Sequence, residues 1–274
     1  MTAPATTLTG AALRRAVPRP QGGGALVLVE RNLLVYRRVW LVLASGLFEP
    51  VFYLLSVGIG VGALVGQVVV ADGSTVPYKM YVAPALLASA AMNGAIFDST
   101  FNIFFKLKYV KLYDAVLSTP VSSRDVAVGE TVWSLLRGGL YAGTFLLVML
   151  AMGLVGSAWA VLALPAATLV GFAFAAVGIA LTTFMRSWQD FEWVQLALMP
   201  MFLFATTFYP LSVYPRPLQL FVECTPLYHA IELVRGVTVG PPSLALAGHL
   251  AYLVVMGLAG LAVAARRLER LLLT

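Results

Sequence analysis

Six stretches of this sequence are apolar over the length a helix needs to cross a bilayer, about 20 residues. They are 41–66, 80–104, 132–155, 158–185, 193–211 and 248–265. No other feature narrows the possible folds as far. In lipid every backbone N–H and C=O must find a partner within the protein, so segments of this length cross as helices. The chain is 60% hydrophobic and 11% charged, whereas a soluble domain is about a quarter charged. The net charge of +6 therefore reads as a basic cytoplasmic face rather than a nucleic-acid surface. One cysteine, Cys224, excludes an intrachain disulfide. The expected fold is an all-α integral membrane protein with six transmembrane helices. Residues 1–24, rich in Pro and Gly and without a long apolar run, read as a mobile cytoplasmic tail, and 25–274 as a single membrane domain.

Lys and Arg set the orientation. With the N-terminus inside, the inner segments next to the spans carry Arg31, Arg37, Arg38, Lys106, Lys108, Lys111, Arg124, Arg186, Arg266, Arg267 and Arg270, against Lys79, Arg216 and Arg235 outside. Both termini are expected in the cytoplasm. The very short turn near Gly156-Ser157 makes the third and fourth spans antiparallel neighbours.

Three stretches between the spans have helical patterning of their own. In "ALVLVERNLLVYRRVW" (25–40) the charges Glu30, Arg31, Arg37 and Arg38 share one face, opposite Leu26, Val29, Leu33 and Tyr36. This is an amphipathic helix suited to the inner interface. In "FKLKYVKLYDAVLSTPVSSRDVAVGE" (105–130), Tyr109, Leu112, Tyr113, Val116 and Leu117 recur at helical spacing, with Lys108, Lys111 and Ser118 on the other side. Thr119-Pro120 stops that helix, and Ser122 with Asp125 fits a capping box that opens the next. An apolar stripe in an inner loop calls for a partner protein or the membrane surface. In 209–250, prolines at 210, 215, 217 and 226 divide two short helices, 218–224 and 227–234. These fit segments that dip into the outer half of the membrane, and Glu223, His229, Glu232 and Arg235 are candidates for ion pairs closing an outer gate.

Several chemistries find no support. The sequence contains no GxxxxGK[ST] phosphate loop, no HExxH and no GxSxG. An ionisable group inside a span faces the bundle or a cavity. Asp98 and Asn102, continued by Lys106 at four-residue steps, form a ladder that reads as a pathway wall or as interhelical packing. Arg137 is expected to snorkel to the inner surface. Glu49 before Pro50 reads as a junction where an interfacial entry segment gives way to the true first span, because a proline suits the first turn of a helix and a carboxylate suits its positive end. Glycines 58, 60, 62 and 66 on that span suit close helix approach across a dimer.

Two segments, "LFEPVFYLLSVGIGVG" and "FYPLSVYPRPLQLFVECTPLYHAIELVRG", make the chain resemble the permease subunit of type 2 ABC exporters, in the nodulation-factor-export and daunorubicin-resistance branch. The resemblance runs from about Ala25 to Leu271. It implies an interface helix at 25–38, a coupling helix at Lys108, Tyr109, Lys111, Leu112, Tyr113, Asp114, Val116 and Leu117 that docks on a cytoplasmic ATPase subunit, and paired re-entrant helices at 215–240. It further implies a second permease chain, identical or homologous, and ATP with Mg bound by the partner ATPase, with no cofactor in this chain. The implied activity is export of a drug, lipid or lipo-oligosaccharide across the cytoplasmic (inner) membrane. The alternatives are a polysaccharide or glycolipid permease, and an ion-coupled transporter using Glu49 and Asp98.

Overall fold

The computed structural model describes residues 23–38, 48, 51–70 and 73–273. The helices are α1 (Gly24–Arg38), α2 (Val51–Val65), α3 (Tyr78–Tyr109), α4 (Leu112–Leu117), α5 (Ser123–Ala151), α6 (Ala163–Thr182), α7 (Asp190–Phe204), α8 (Arg216–Glu223), α9 (Pro226–Thr238) and α10 (Leu246–Leu273). Two short strands, β1 (Gln67–Val69) and β2 (Thr75–Pro77), pair antiparallel between α2 and α3. That hairpin has no counterpart in the expectation from sequence, which left the segment as a loop.

Among the described residues, four helices are long and apolar enough to cross a membrane: α3, α5, α6 with the 3-10 turn Ala158–Leu162 before it, and α10. Two of the six expected spans are shorter. The fifth, expected over 193–211, is a 15-residue helix ending at Phe204. At 1.5 Å per residue it covers about 22 Å, less than the bilayer core of about 30 Å. The first shows a helix over Val51–Val65. Glu49 and Pro50, and with them the expected junction, lie outside the described residues, as do residues 1–22.

The centre of the bundle is α6. Its Ala173, Ala175, Ala176 and Ala180 are buried, and α3, α5 and α10 all pack against it. Small residues let the backbones meet. A Cβ at Gly260 of α10 would lie 2.8 Å from the Val177 nitrogen and 2.9 Å from the Ala176 carbonyl carbon, so glycine is what this crossing admits. The third and fourth spans are neighbours, as the short turn requires. α5 ends at Gly153, whose positive φ of 66° allows Leu154 N–H to reach back to the Met149 carbonyl at 2.9 Å, the bond of a Schellman cap. The start of α5 follows the sequence expectation: Ser122 Oγ accepts from Asp125 N–H at 3.2 Å and Asp125 Oδ2 accepts from Ser122 N–H at 2.9 Å.

One end of the bundle gathers α1, α4 and the ends of α3, α5, α6 and α10 around Leu28, Ile103, Tyr113, Val126, Ile179 and Leu268. α1 lies on α5 through Gly24, Leu28 and Asn32 and leaves Leu26, Val27, Leu33 and Leu34 outward. The stripe turned to the protein combines a small, an apolar and a polar residue, and the outward face mixes the exposed apolar residues with Glu30, Arg37 and Arg38. α8 and α9 belong to the other end. The two short helices expected there are present: α8 starts two residues earlier and ends one earlier than expected, and α9 starts one earlier and ends four later.

Gly260→Leu should force α6 and α10 apart and cost about 1–3 kcal/mol, the usual range for overpacking. Gly171→Ala, which meets nothing within 4 Å, should leave stability unchanged or raise it. Thermal unfolding in detergent, followed by size-exclusion recovery, reads both.

Candidate functional site

The structure converts the expected polar ladder into two ion pairs between α3 and α5. Asp98 Oδ1 meets Arg137 Nη1 at 2.6 Å, and Lys106 Nζ meets Glu130 at 2.8 Å. Both carboxylates are 3% exposed at the side chain, so each would be costly without its cation. The helices run antiparallel, so the pair nearer α4 joins residue 106 to 130 and the pair farther from it 98 to 137. α3 uses eight residues to cover what α5 covers in seven. The difference is absorbed by the π-helical turn at Asp98–Asn102, since a π-turn inserts an extra residue; a second π-turn, Phe105–Tyr109, ends the helix. The Thr182 hydroxyl of α6 stands beside the first turn, 2.9 Å from the Gly178 carbonyl of its own helix and 3.1 Å from the Ser99 carbonyl. Gly178, one turn earlier, leaves room for the Ser99 side chain, where a Cβ would overlap its Oγ.

Around these pairs the remaining polar groups close two small networks. Asp98 also accepts from Ser134 Oγ at 3.1 Å and from Asn102 Nδ2 at 3.1 Å. Arg137 Nη1 donates to the Tyr36 hydroxyl of α1 at 2.9 Å and stands over the Tyr36 ring. Glu130 accepts from Lys106, from Asn32 Nδ2 of α1 at 3.2 Å, and from the Tyr113 hydroxyl of α4 at 3.0 Å. Burial first, and the Glu130 carboxylate second, push the Tyr113 hydroxyl well above its ordinary pKa, so it remains a donor at any physiological pH. Arg137, expected to snorkel, instead turns into the bundle because Asp98 and Tyr36 await it there. Asn32, Ser134 and Glu130 were not singled out from sequence. The legible signal is the seven-residue step from Glu130 to Arg137, acid then base, which repeats in the same order the eight-residue step from Asp98 to Lys106; on antiparallel helices that shared order sets each charge against its opposite.

The expected coupling helix is shorter and turned differently. A continuous helix over 108–118 is ruled out by Lys111, whose φ of 46° is left-handed and reverses the chain between α3 and α4. Lys108 and Tyr109 finish α3, Lys111 makes the turn, and Leu112, Tyr113, Asp114, Val116 and Leu117 form α4. The apolar stripe is not free for a partner. Tyr113 is 1% exposed, and Leu112, Val116 and Leu117 pack with it onto the inner core. The outward face consists of Lys108, Tyr109, Val110, Lys111, Asp114 and Ala115.

At the other end Arg235 carries the geometry. It is 6% exposed, buried among α3, α9 and the end of α7 rather than turned to solvent. It pairs with Glu232 at 2.5 Å, donates to the Thr206 carbonyl at 2.7 Å, and lies 3.8 Å over the Tyr81 ring. Thr206 has a positive φ of 60°, a strained conformation for a β-branched residue. Arg235 and the Tyr81 hydroxyl, which donates to the same carbonyl at 3.3 Å, hold this bend and so fix where α7 ends. His229 meets His249 nitrogen to nitrogen at 2.8 Å; burial and the neighbouring ring hold His229 below its ordinary pKa. Glu223 reaches Arg216 at 3.5 Å on the surface, where an ion pair contributes little.

Asp98→Ala or Arg137→Ala alone should destabilise by about 3–5 kcal/mol by leaving a buried partner charge, and Asp98→Leu with Arg137→Leu should cost clearly less than the two single changes added together. Arg235→Leu should release the Thr206 bend, making the 205–209 backbone the first segment to exchange amide hydrogen in detergent.

Comparison with known proteins accords with this arrangement. Residues 24–239 match the family model of the ABC-2 type transporter. Nodulation protein J of Rhizobium leguminosarum bv. viciae is 32% identical over 260 residues, covering 92% of this chain and 98% of that protein. Nodulation protein J of Rhizobium meliloti is 30% identical over 224 residues, 81% and 83% of the two chains. That of Sinorhizobium fredii is 29% identical over 247 residues, 89% and 92%. A multi-pass membrane protein with ion-paired spans, matched over most of its length, this chain belongs to the ABC-2 type transporter family.

Proposed function

We propose that this chain is the permease subunit of an ATP-driven exporter in the cytoplasmic (inner) membrane, working with a separate ATPase subunit that binds ATP and Mg. The observation that carries the reading is α4. It is a surface helix anchored by its apolar side to the ends of α3, α5, α6 and α10, with charged and small residues facing away. In this proposal Lys108, Tyr109, Lys111 and Asp114 meet the ATPase directly, while Leu112, Tyr113, Val116 and Leu117 pass the movement inward. Membership of the ABC-2 type transporter family supports it.

The topology proposed is six crossings with both termini cytoplasmic. Lys and Arg concentrate at the α1 and α4 end, as expected of the inner face. The first and fifth crossings are α2 and α7, completed by their adjoining segments. α8 and α9 form the re-entrant outer pair, with the Glu232–Arg235 pair holding it. A second permease chain, a copy or a homologue, is proposed to cover α2 and α7. Their outward residues include Phe52, Ile59, Trp193 and Met199, each more than 60% exposed. The substrate class is a hydrophobic or amphipathic molecule such as a drug, a lipid or a lipo-oligosaccharide; the relatives named nodulation protein J favour the last. A proton-coupled mechanism at Asp98 is disfavoured by that residue's partners, Arg137, Ser134 and Asn102.

Affinity purification from the native membrane should bring down an ATPase subunit whose hydrolysis rises with a lipo-oligosaccharide or lipophilic drug. Lys108→Glu with Lys111→Glu should weaken that association about tenfold, equivalent to about 1.4 kcal/mol, without lowering the amount of chain in the membrane. Substrate movement driven by a proton gradient with no ATPase present would contradict the proposal.

A further inference from the structure

We propose that Glu130 is a positioning residue that makes the inner arm of α3 follow α4. The inference rests on the exporter reading above and adds the residue through which α4 acts. Three elements converge on this one carboxylate: Tyr113 of α4 on Oε1 at 3.0 Å, Lys106 of α3 on both oxygens at 2.8 and 3.0 Å, and Asn32 of α1 on Oε2 at 3.2 Å. The site is close-packed: the Glu130 side chain is 3% exposed and Tyr113 1%, and the space between Tyr113, Glu130, Ile103, Val126, Ile179 and Leu268 is too small for a water molecule. A displacement of Tyr113 therefore acts on the carboxylate directly. It moves the carboxylate, or it breaks a charge-assisted bond in a site where an unpaired charge is costly.

The arm has a place to pivot. Residues 98–109 are the part of α3 that departs from regular α-helical bonding. The first π-turn is steadied from α6 by Thr182, while its other end is held by Lys106 through Glu130. A segment with irregular backbone bonding at one end and an ion pair at the other is a lever with a handle. Pulling on α4 turns the arm about residues 98–102, beside the Asp98–Arg137 pair, and α1 is carried along through Asn32.

The test uses the complex of permease and co-purified ATPase in nanodiscs, with one labelled chain per dimer and Cys224→Ser as background. Spin labels at introduced cysteines report two distances: Ser118 to Ser187 for α4 against the end of α6, and Phe105 to Ser187 for the arm against the same point. Each is measured without nucleotide and with ATP plus vanadate. In the unaltered chain both distances should shift. In Tyr113→Phe, which removes only the hydroxyl and keeps the ring buried, and in Glu130→Gln, the Ser118 shift should persist and the Phe105 shift should be lost, with ATP hydrolysis continuing. A residue that merely stabilised the fold would lower both shifts together, and that result overturns the proposal. So does an unchanged Phe105 shift in both variants. If no ATPase is retained, or the Ser118 distance ignores nucleotide in the unaltered chain, the exporter reading itself fails and takes the inference with it. Should Glu130→Gln not accumulate in the membrane, Tyr113→Phe alone decides.

Discussion

A charge buried between apolar helices must find its opposite, and in this molecule that requirement organises the inner half of the bundle. Asp98 with Arg137 and Lys106 with Glu130 fix the sliding register of α3 against α5. Hydrophobic contact alone would not, because lipid is as good a neighbour for leucine as another helix is. Once the register is set, α3 must gain a residue on α5, and the π-turn at Asp98–Asn102 follows. Thr182 of α6 stands beside that turn, its hydroxyl 3.1 Å from the Ser99 carbonyl. Tyr36, Asn32 and Tyr113 then attach α1 and α4 to the same charges. α1 and α4 are thus tied to the spans by polar bonds.

The outer end obeys the same rule with a single cation. Arg235, Glu232 and Tyr81 hold the strained bend at Thr206, which cuts α7 short. The result is a bundle with a firm centre of α3, α5, α6 and α10, and two helices, α2 and α7, that lie at its margin with large apolar side chains outward. In the proposed exporter those margins meet the second permease chain and the substrate, while the firm centre transmits force from the inner face.

Much of this was legible in the sequence, and the reasons are local. The capping box at Ser122 and Asp125, the stop at Thr119-Pro120, the two short helices after Pro215 and Pro226, and the antiparallel third and fourth spans all follow from turn chemistry and periodicity. The register of α3 on α5 is half legible: Asp98, Asn102 and Lys106 stand out, but Glu130 reads as the end of the loop 105–130 and Arg137 as a side chain that snorkels to the surface. What could not be read was anything decided by a backbone exception. Lys111 and Thr206 adopt positive φ without being glycine. Those two residues account for the two main revisions, the shortened coupling helix with its stripe turned inward and the early end of the fifth span. The hairpin at 67–77 escaped because three-residue strands leave too little alternation to detect.

The central claim is that α4 presents its polar side to a separate ATPase and its apolar side to the bundle. Photo-cross-linking from a single cysteine in inverted membrane vesicles tests it directly. A benzophenone maleimide on Asp114→Cys, in the Cys224→Ser background, should join this chain to an ATPase subunit, while the same reagent on Tyr113→Cys should react poorly and give no such product. Efficient labelling and cross-linking from position 113 with none from 114, or no cross-link to an ATPase from either, would contradict the account.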